Sequence, residues 1–504
     1  MILPVFYLFI RASDAGFAKA LTTVTEPRTL QLLGRTVTLT LAVTLTSVII
    51  AVPLAWLTAR TDLPWRSFWT ITSALPLVIP SYVAGFAFVS ALGPRGQVQR
   101  WLEPLGVERL PEIYGFFGAW LVLTLFTYPY VLLTVRAAIR GLDPALEEAA
   151  IILDGRRRAL FKAVGPQLRP AVASGALLVA LYTFHDFGAV SLLRFDAFTN
   201  AIYLQYRGSF DRSVAAILSL MLIVVTTTVV LAEVMSRGRA SYHRLNAAGG
   251  RRVTRQTALG VWKWPAFAAC SLLATMTLVV PLGFIGYWLY REAMSDDPLI
   301  PALMTVVRSF EASAAGTVMC VLAAIPVALL IARHPGRLSR AVETSSFVGH
   351  ALPGVVVALA LVFFGARYAP VLYQTRWMLA FAYTVLFMPL AVGSLRASML
   401  QVSPQVEEAA RTLGRSGLGT WRAVTFPLVR PGLIAAAALV FLSIMKELPA
   451  TLMLAPTGYS TLATRVWGAT NEVLYGPAAV HATALVLLAS IPLGILLVKD
   501  RRIQ

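Results

Sequence analysis

The chain has 504 residues, 58% of them hydrophobic and only 13% charged, with a formal net charge of +19. So apolar a chain cannot close as a water-soluble globule, which excludes the ordinary soluble enzyme. The basic excess would otherwise suggest nucleic acid, but it lies in short loops between apolar runs, where it sets orientation and meets anionic lipid; no nucleic-acid partner is expected.

Apolar runs of about 20 residues, the length that crosses a bilayer, recur along the chain. They fall near 37–57, 67–92, 115–135, 171–193, 213–234, 264–290, 311–332, 346–366, 378–398, 432–455 and 477–498. Met1 to Ile10 is apolar but only half a span, a first helix cut short or a late start; counting it gives six spans per half. The expected fold is an all-α integral membrane protein of about twelve transmembrane helices. No cleavable signal peptide is evident, so the first spans serve as their own insertion signal. Cys270 and Cys320 fall in or near apolar spans and read as core fillers.

The chain repeats itself. Ala51-Val52-Pro53-Leu54-Ala55 with Ala59-Arg60 matches Ala324-Ile325-Pro326-Val327-Ala328 with Ala332-Arg333, and Leu75-Pro76-Leu77-Val78-Ile79-Pro80 answers Leu352-Pro353-Gly354-Val355-Val356. Both copies run in the same order, as parallel repeats do. Residues 1–236 form the first repeat, 237–263 a basic linker containing Gly249-Gly250, and 264–504 the second repeat. The shared prolines either kink their helices or gate a pathway; both uses place them against protein rather than lipid.

Each repeat carries one polar stretch between spans. Asp143-Pro144 leads to Glu147-Glu148-Ala149-Ala150 and then Gly155; Ser403-Pro404 leads to Glu407-Glu408-Ala409-Ala410 and then Gly414. Asp143 and Ser403 are good N-caps, and proline is tolerated at the first helical position. Early glutamates complement the helix dipole, worth about 0.3–1 kcal/mol. Gly155 and Gly414 supply the left-handed residue that stops each helix. A helix of about ten residues is roughly 15 Å long and too short to stand alone in water, so it needs a docking partner. With both stretches on one side, the majority of the 43 Lys and Arg fall on that side too, which is the positive-inside pattern.

Two acid–base pairs interrupt spans at matching positions: His185-Asp186 and Lys446-Glu447. Charges at that depth must face protein or water. They either line a translocation pathway or gate, or fix helix packing as internal ion pairs; neither use is catalytic. Gly-Lys is absent from the chain, so no P-loop binds ATP, and the five histidines are scattered, without a metal-binding spacing.

The Glu-Ala-Ala stretch followed by Gly and Pro, between spans, resembles the EAA loop of permease subunits of ABC importers. Two copies in one chain resemble the fused permeases. The first copy departs in placing Asp154 where the second has Gly414, with glycine at 155. Phe184 to Arg194, Lys446 to Leu452 and Thr461 to Trp467 look like the ferric-iron branch, and relatives for thiamine, polyamines or other small solutes share the architecture. The resemblance implies a non-enzymatic transport subunit in a bacterial inner membrane, with both termini cytoplasmic. It implies Glu147, Glu148, Ala149, Ala150 and Gly155, with Glu407, Glu408, Ala409, Ala410 and Gly414, as the contact to a homodimeric cytoplasmic ATPase. That ATPase would bind ATP and magnesium, leaving this chain without a cofactor. Substrate would arrive on a periplasmic or lipid-anchored binding protein. An ion-gradient-driven secondary transporter explains the spans and intramembrane charges, but not the paired polar helices.

Overall fold

The computed structural model describes residues 2–94, 96–107, 109–142, 150–153, 155, 158, 160–208, 211–236, 257–295, 300–334, 336–349 and 352–501. Among them the regular structure is helical, apart from one isolated bridge between Thr61 and Thr257. Among the described residues eight helices are long and apolar enough to cross a membrane, and Arg66–Val78 with Ser81–Leu105 is a further apolar pair bent by 94°. The shorter apolar helices Leu3–Ser13, Gly354–Tyr368 and Tyr475–Ser490 occupy the remaining expected positions.

The duplication is visible helix by helix. Pro27–Arg60 and Ile300–Arg333 have 34 residues each, with Pro53 and Pro326 inside them. Phe116–Arg140 and Arg376–Leu400 have 25 each, with Pro129 and Pro389 inside. Gly165–His185 and Phe426–Met445 hold Pro170 and Pro431, and each is entered through a π-turn, Leu160–Val164 and Trp421–Thr425. Proline breaks a helix hydrogen bond, which a span tolerates where neighbours re-satisfy the freed groups. The prolines were therefore copied along with the packing that accommodates them.

The helices gather into two compact units that are not contiguous in sequence. One holds Met1–Leu30, Phe198–Ile223 and Trp288–Gln504, and the other holds Gln31–Ala197 with Val224–Tyr287. In the second of these, Ser81–Leu92 is buried from Ser81 to Ala91 and packs on the short helix Gly188–Leu192, with Gly85 against Ala189 and Leu192. In the other unit, Gly354–Tyr368 is its counterpart: Val355 to Val362 are at most 1% exposed. A helix apolar all round is an inner helix. The N-terminal helix Ile2–Ser13 leans on that inner helix through Tyr7, which donates to the Phe363 carbonyl at 3.3 Å and meets Phe364 and Tyr368 edge-on.

Four runs expected to be continuous spans are broken. In 67–92 and 346–366, Pro80 and Pro353 are extended, at ψ 149° and 144°, and each caps the following inner helix. These two prolines are therefore the structural counterparts: of the two prolines in the matched stretch 75–80, Pro80 rather than Pro76 answers Pro353 and starts the inner helix. In 171–193 and 432–455 the breaks fall at Asp186 and at Lys446–Glu447. The basic linker expected over 237–263 lies outside the described residues up to 256; its end is docked, with Thr257 donating from its amide to the Arg60 carbonyl at 2.7 Å.

Candidate functional site

Ser403, Pro404 and Gly414 do what their chemistry dictates. The Ser403 hydroxyl accepts from the Gln405 amide at 3.3 Å, Pro404 opens the helix Pro404–Thr412, and Gly414 at φ +82° ends it. The helix is amphipathic in an unusual sense, because its two adjacent glutamates face opposite ways. Glu407 and Ala410 are buried at 7% exposure, while Val406, Glu408 and Ala409 are exposed.

The inward glutamate is held through one oxygen. Glu407 Oε1 accepts from Arg333 Nη2 at 2.8 Å, Arg333 Nε at 3.2 Å and the Thr425 hydroxyl at 3.0 Å. Arg333 also donates from Nη2 to the Val402 carbonyl at 3.1 Å. Arg333 is the last residue of helix Ile300–Arg333, where the dipole favours a cation. Thr425 closes the π-turn that enters helix Phe426–Met445.

In the first loop, Glu147, Glu148 and Ala149 lie outside the described residues. Ala150 is helical and half-buried, and Gly155 takes φ +77°, the left-handed conformation expected of it. Leu153 and Leu413, at equivalent positions beside these glycines, are each 84% exposed. Neither leucine was singled out from the sequence. Their signal is an apolar residue at the same place in both polar loops.

The intramembrane pairs sit at the two helix breaks. Asp186 accepts at Oδ1 from the Ala189 and Val190 amides at 3.0 and 3.2 Å, and at Oδ2 from the Ser81 hydroxyl. It thereby caps the short helix Gly188–Leu192 and ties it to the start of the inner helix Ser81–Leu92. Glu447 repeats the arrangement: its Oε1 accepts from the Ala450 amide at 3.0 Å at the start of helix Pro449–Leu454. Its backbone carbonyl accepts from Thr451, whose hydroxyl pairs with that of Tyr383 at 2.8 Å. Asp186 is 7% exposed, and Glu447 and Lys446 are half-buried. His185 ends its helix and Lys446 follows the end of its own, the terminus where a positive charge is favoured.

The capping pairs differ in a compensating way: the second repeat gains a methylene on its acid and loses a hydroxymethyl group opposite it. The first repeat uses Ser81 with Asp186, and the second uses Gly354 with the longer Glu447. A Cβ added at Gly354 would stand 2.6 Å from Glu447 Oε1. Beside Glu447 lies a small cavity of about 10 Å³, lined by Ser309, Ser313, Tyr383, Met445 and Thr461, about enough for one water. Among the described residues, no three His, Cys, Asp or Glu converge as a metal site. The chemistry of these breaks is hydrogen bonding to freed backbone, and that of the exposed helix is surface recognition.

The family described as binding-protein-dependent transport system inner membrane component matches residues 44–240 and again residues 324–504. The chain is 34% identical over 502 residues to the Fe(3+)-transport system permease protein FbpB 2 of Haemophilus influenzae, covering 98% of this chain and 95% of that protein. It is 23% identical over 440 residues to the ferric transport system permease protein FbpB of Actinobacillus pleuropneumoniae, covering 83% and 63%. A probable ABC transporter permease protein, y4fN of Sinorhizobium fredii, is 24% identical over 502 residues, covering 93% and 87%.

Proposed function

The chain belongs to the family of inner membrane components of binding-protein-dependent transport systems, in fused two-repeat form, and from that premise we propose that it is the permease of an ATP-driven ferric iron importer. Iron is carried to it by the near full-length likeness to an Fe(3+)-transport permease. Ferric ion arrives on a periplasmic or lipid-anchored binding protein. Two cytoplasmic ATPase subunits of one kind bind ATP and magnesium and drive the permease through its two polar loops, while the chain itself carries no cofactor and performs no covalent chemistry. The loops and both termini lie on the cytoplasmic side of a bacterial inner membrane, where the basic loops meet anionic lipid.

One observation carries the reading: the second loop folds as a capped helix with one glutamate turned in and Glu408 turned out, beside the exposed Val406 and Leu413. An exposed acid flanked by apolar side chains suits a basic-rimmed groove on another protein. Glu148, Ala149 and Ala150 supply the corresponding contact in the first repeat. The carboxylates of Asp186 and Glu447, with His185 and Lys446, brace the breaks that bend as the pathway opens.

The test is charge reversal at Glu408. Glu408→Arg chains insert normally, but ATPase subunits fail to co-purify and uptake of Fe(III) is lost. Unchanged uptake would reduce Glu408 to a dipole-complementing residue and remove the basis for the coupling role.

A further inference from the structure

The two glutamates of the second loop divide the work. Resting on the permease reading above, we infer that Arg333 and Glu407 are positioning residues, a latch that makes the helix Pro404–Thr412 move as one body with two spanning helices. The ATPase contact belongs to the outward face of the helix; Glu407 belongs to the interior.

Arg333 and Glu407 side chains are 11% and 10% exposed. A pair so sheltered is weakly screened by salt, and losing one member leaves the other charge buried alone. The geometry has three arms. Arg333 holds the end of helix Ile300–Arg333 to Glu407 and to the Val402 carbonyl just before the loop helix. Thr425 joins the same carboxylate oxygen to the entrance of helix Phe426–Met445. That helix, about 30 Å long at 1.5 Å per residue, ends at Lys446, beside the capped break at Glu447. A displacement of the loop helix thus reaches the break through one carboxylate and one continuous helix.

The first repeat has the matching cation. Arg60 ends helix Pro27–Arg60 as Arg333 ends Ile300–Arg333, is 3% exposed, and donates to the Ile139 carbonyl at 3.4 Å near the end of the span that precedes the first loop. A buried arginine clamping a span end to the approach of the polar loop is therefore a repeated device. The general alternative, that the pair only stabilises the fold, makes a different prediction about energy coupling.

The experiment uses the chain assembled with its ATPase subunits in vesicles, with its binding protein loaded with Fe(III). Arg333→Met complexes are expected to hydrolyse ATP at about the wild-type basal rate, while iron moved per ATP falls about tenfold, the range of ordinary coupling free energies. Arg333→Lys keeps the charge without the forked geometry and falls between the two. Glu407→Gln also lowers the ratio, and Arg333→Met/Glu407→Gln is no worse than Arg333→Met, because the latch is already open. An unchanged ratio in Arg333→Met and Glu407→Gln overturns the latch. Should Arg333→Met fail to assemble, the ratio in Glu407→Gln decides alone. A wild-type complex that moves no iron on ATP overturns the permease reading instead, and with it this inference.

Discussion

Replacing Gly354 by alanine tests how the second break is packed. The new Cβ would lie 2.6 Å from Glu447 Oε1, 3.1 Å from Pro449 Cγ and 3.4 Å from Glu447 Cδ. Ordinary contact begins near the last of these distances, so the carboxylate must withdraw. Withdrawal strains its bond to the Ala450 amide, now 3.0 Å. Overpacking of this kind costs about 1–3 kcal/mol, and losing the amide bond moves the cost to the upper end. For a unit of this size that lowers Tm by roughly 2–4 °C per kcal/mol. The buried thiols of Cys270 and Cys320 provide the assay, because a thiol-reactive dye labels them only on unfolding. The first repeat supplies the control. Transplanting its solution, Gly354→Ser with Glu447→Asp, should recover at least about 1 kcal/mol relative to the sum of the single changes. A Tm for Gly354→Ala equal to wild type, or strictly additive singles, would refute the compensation between the two positions.

Two further outcomes follow from the same geometry. Ser81→Ala removes the hydroxyl donor to the buried Asp186 carboxylate and should cost about 1–3 kcal/mol, read by the same dye assay, with Ser81→Thr close to wild type; equal stability of Ser81→Ala would mean that the Ala189 and Val190 amides suffice. Asp62 is held below the usual carboxylate range by the Leu259 amide at 2.8 Å and by Lys263 at 3.6 Å. A depressed pKa stabilises above the unfolded value, about 3.9, and that contribution disappears as pH falls through the lower folded value. Protection of the Leu259 amide, its exchange relative to the intrinsic rate at the same pH, should therefore hold at pH 5 and fall as pH drops below about 4; unchanged protection would sever the link to Asp62.

Much of this molecule was legible in its sequence because a membrane enforces simple rules. Apolar length gave the spans, and the repeated Pro53 and Pro326 announced the duplication. Ser403, Pro404 and Gly414 predicted the loop helix with its cap and stop, as found. The opposed orientation of Glu407 and Glu408 was not legible. It depends on Arg333 and Thr425, distant in sequence, meeting one carboxylate. The breaks were missed for a related reason. An apolar run interrupted by Pro80 or Asp186 still scores as continuous hydrophobicity, and only the packing of an inner helix decides that the chain turns there.

Where the turns fall explains why acids are found at such depth. A helix broken inside an apolar environment leaves amides without partners, each costly unless something replaces the missing bond. Asp186 and Glu447 are those replacements, each accepting from the first amides of the next short helix. Because each cap is a side chain at the break itself, the amides are satisfied without help from a lipid-facing neighbour. The two repeats solve this with different residues, Asp186 with Ser81 and Glu447 with Gly354, so what was conserved between them is a filled volume and satisfied amides. A mechanism that bends both halves at these points requires only that, and not an identical pair of charges.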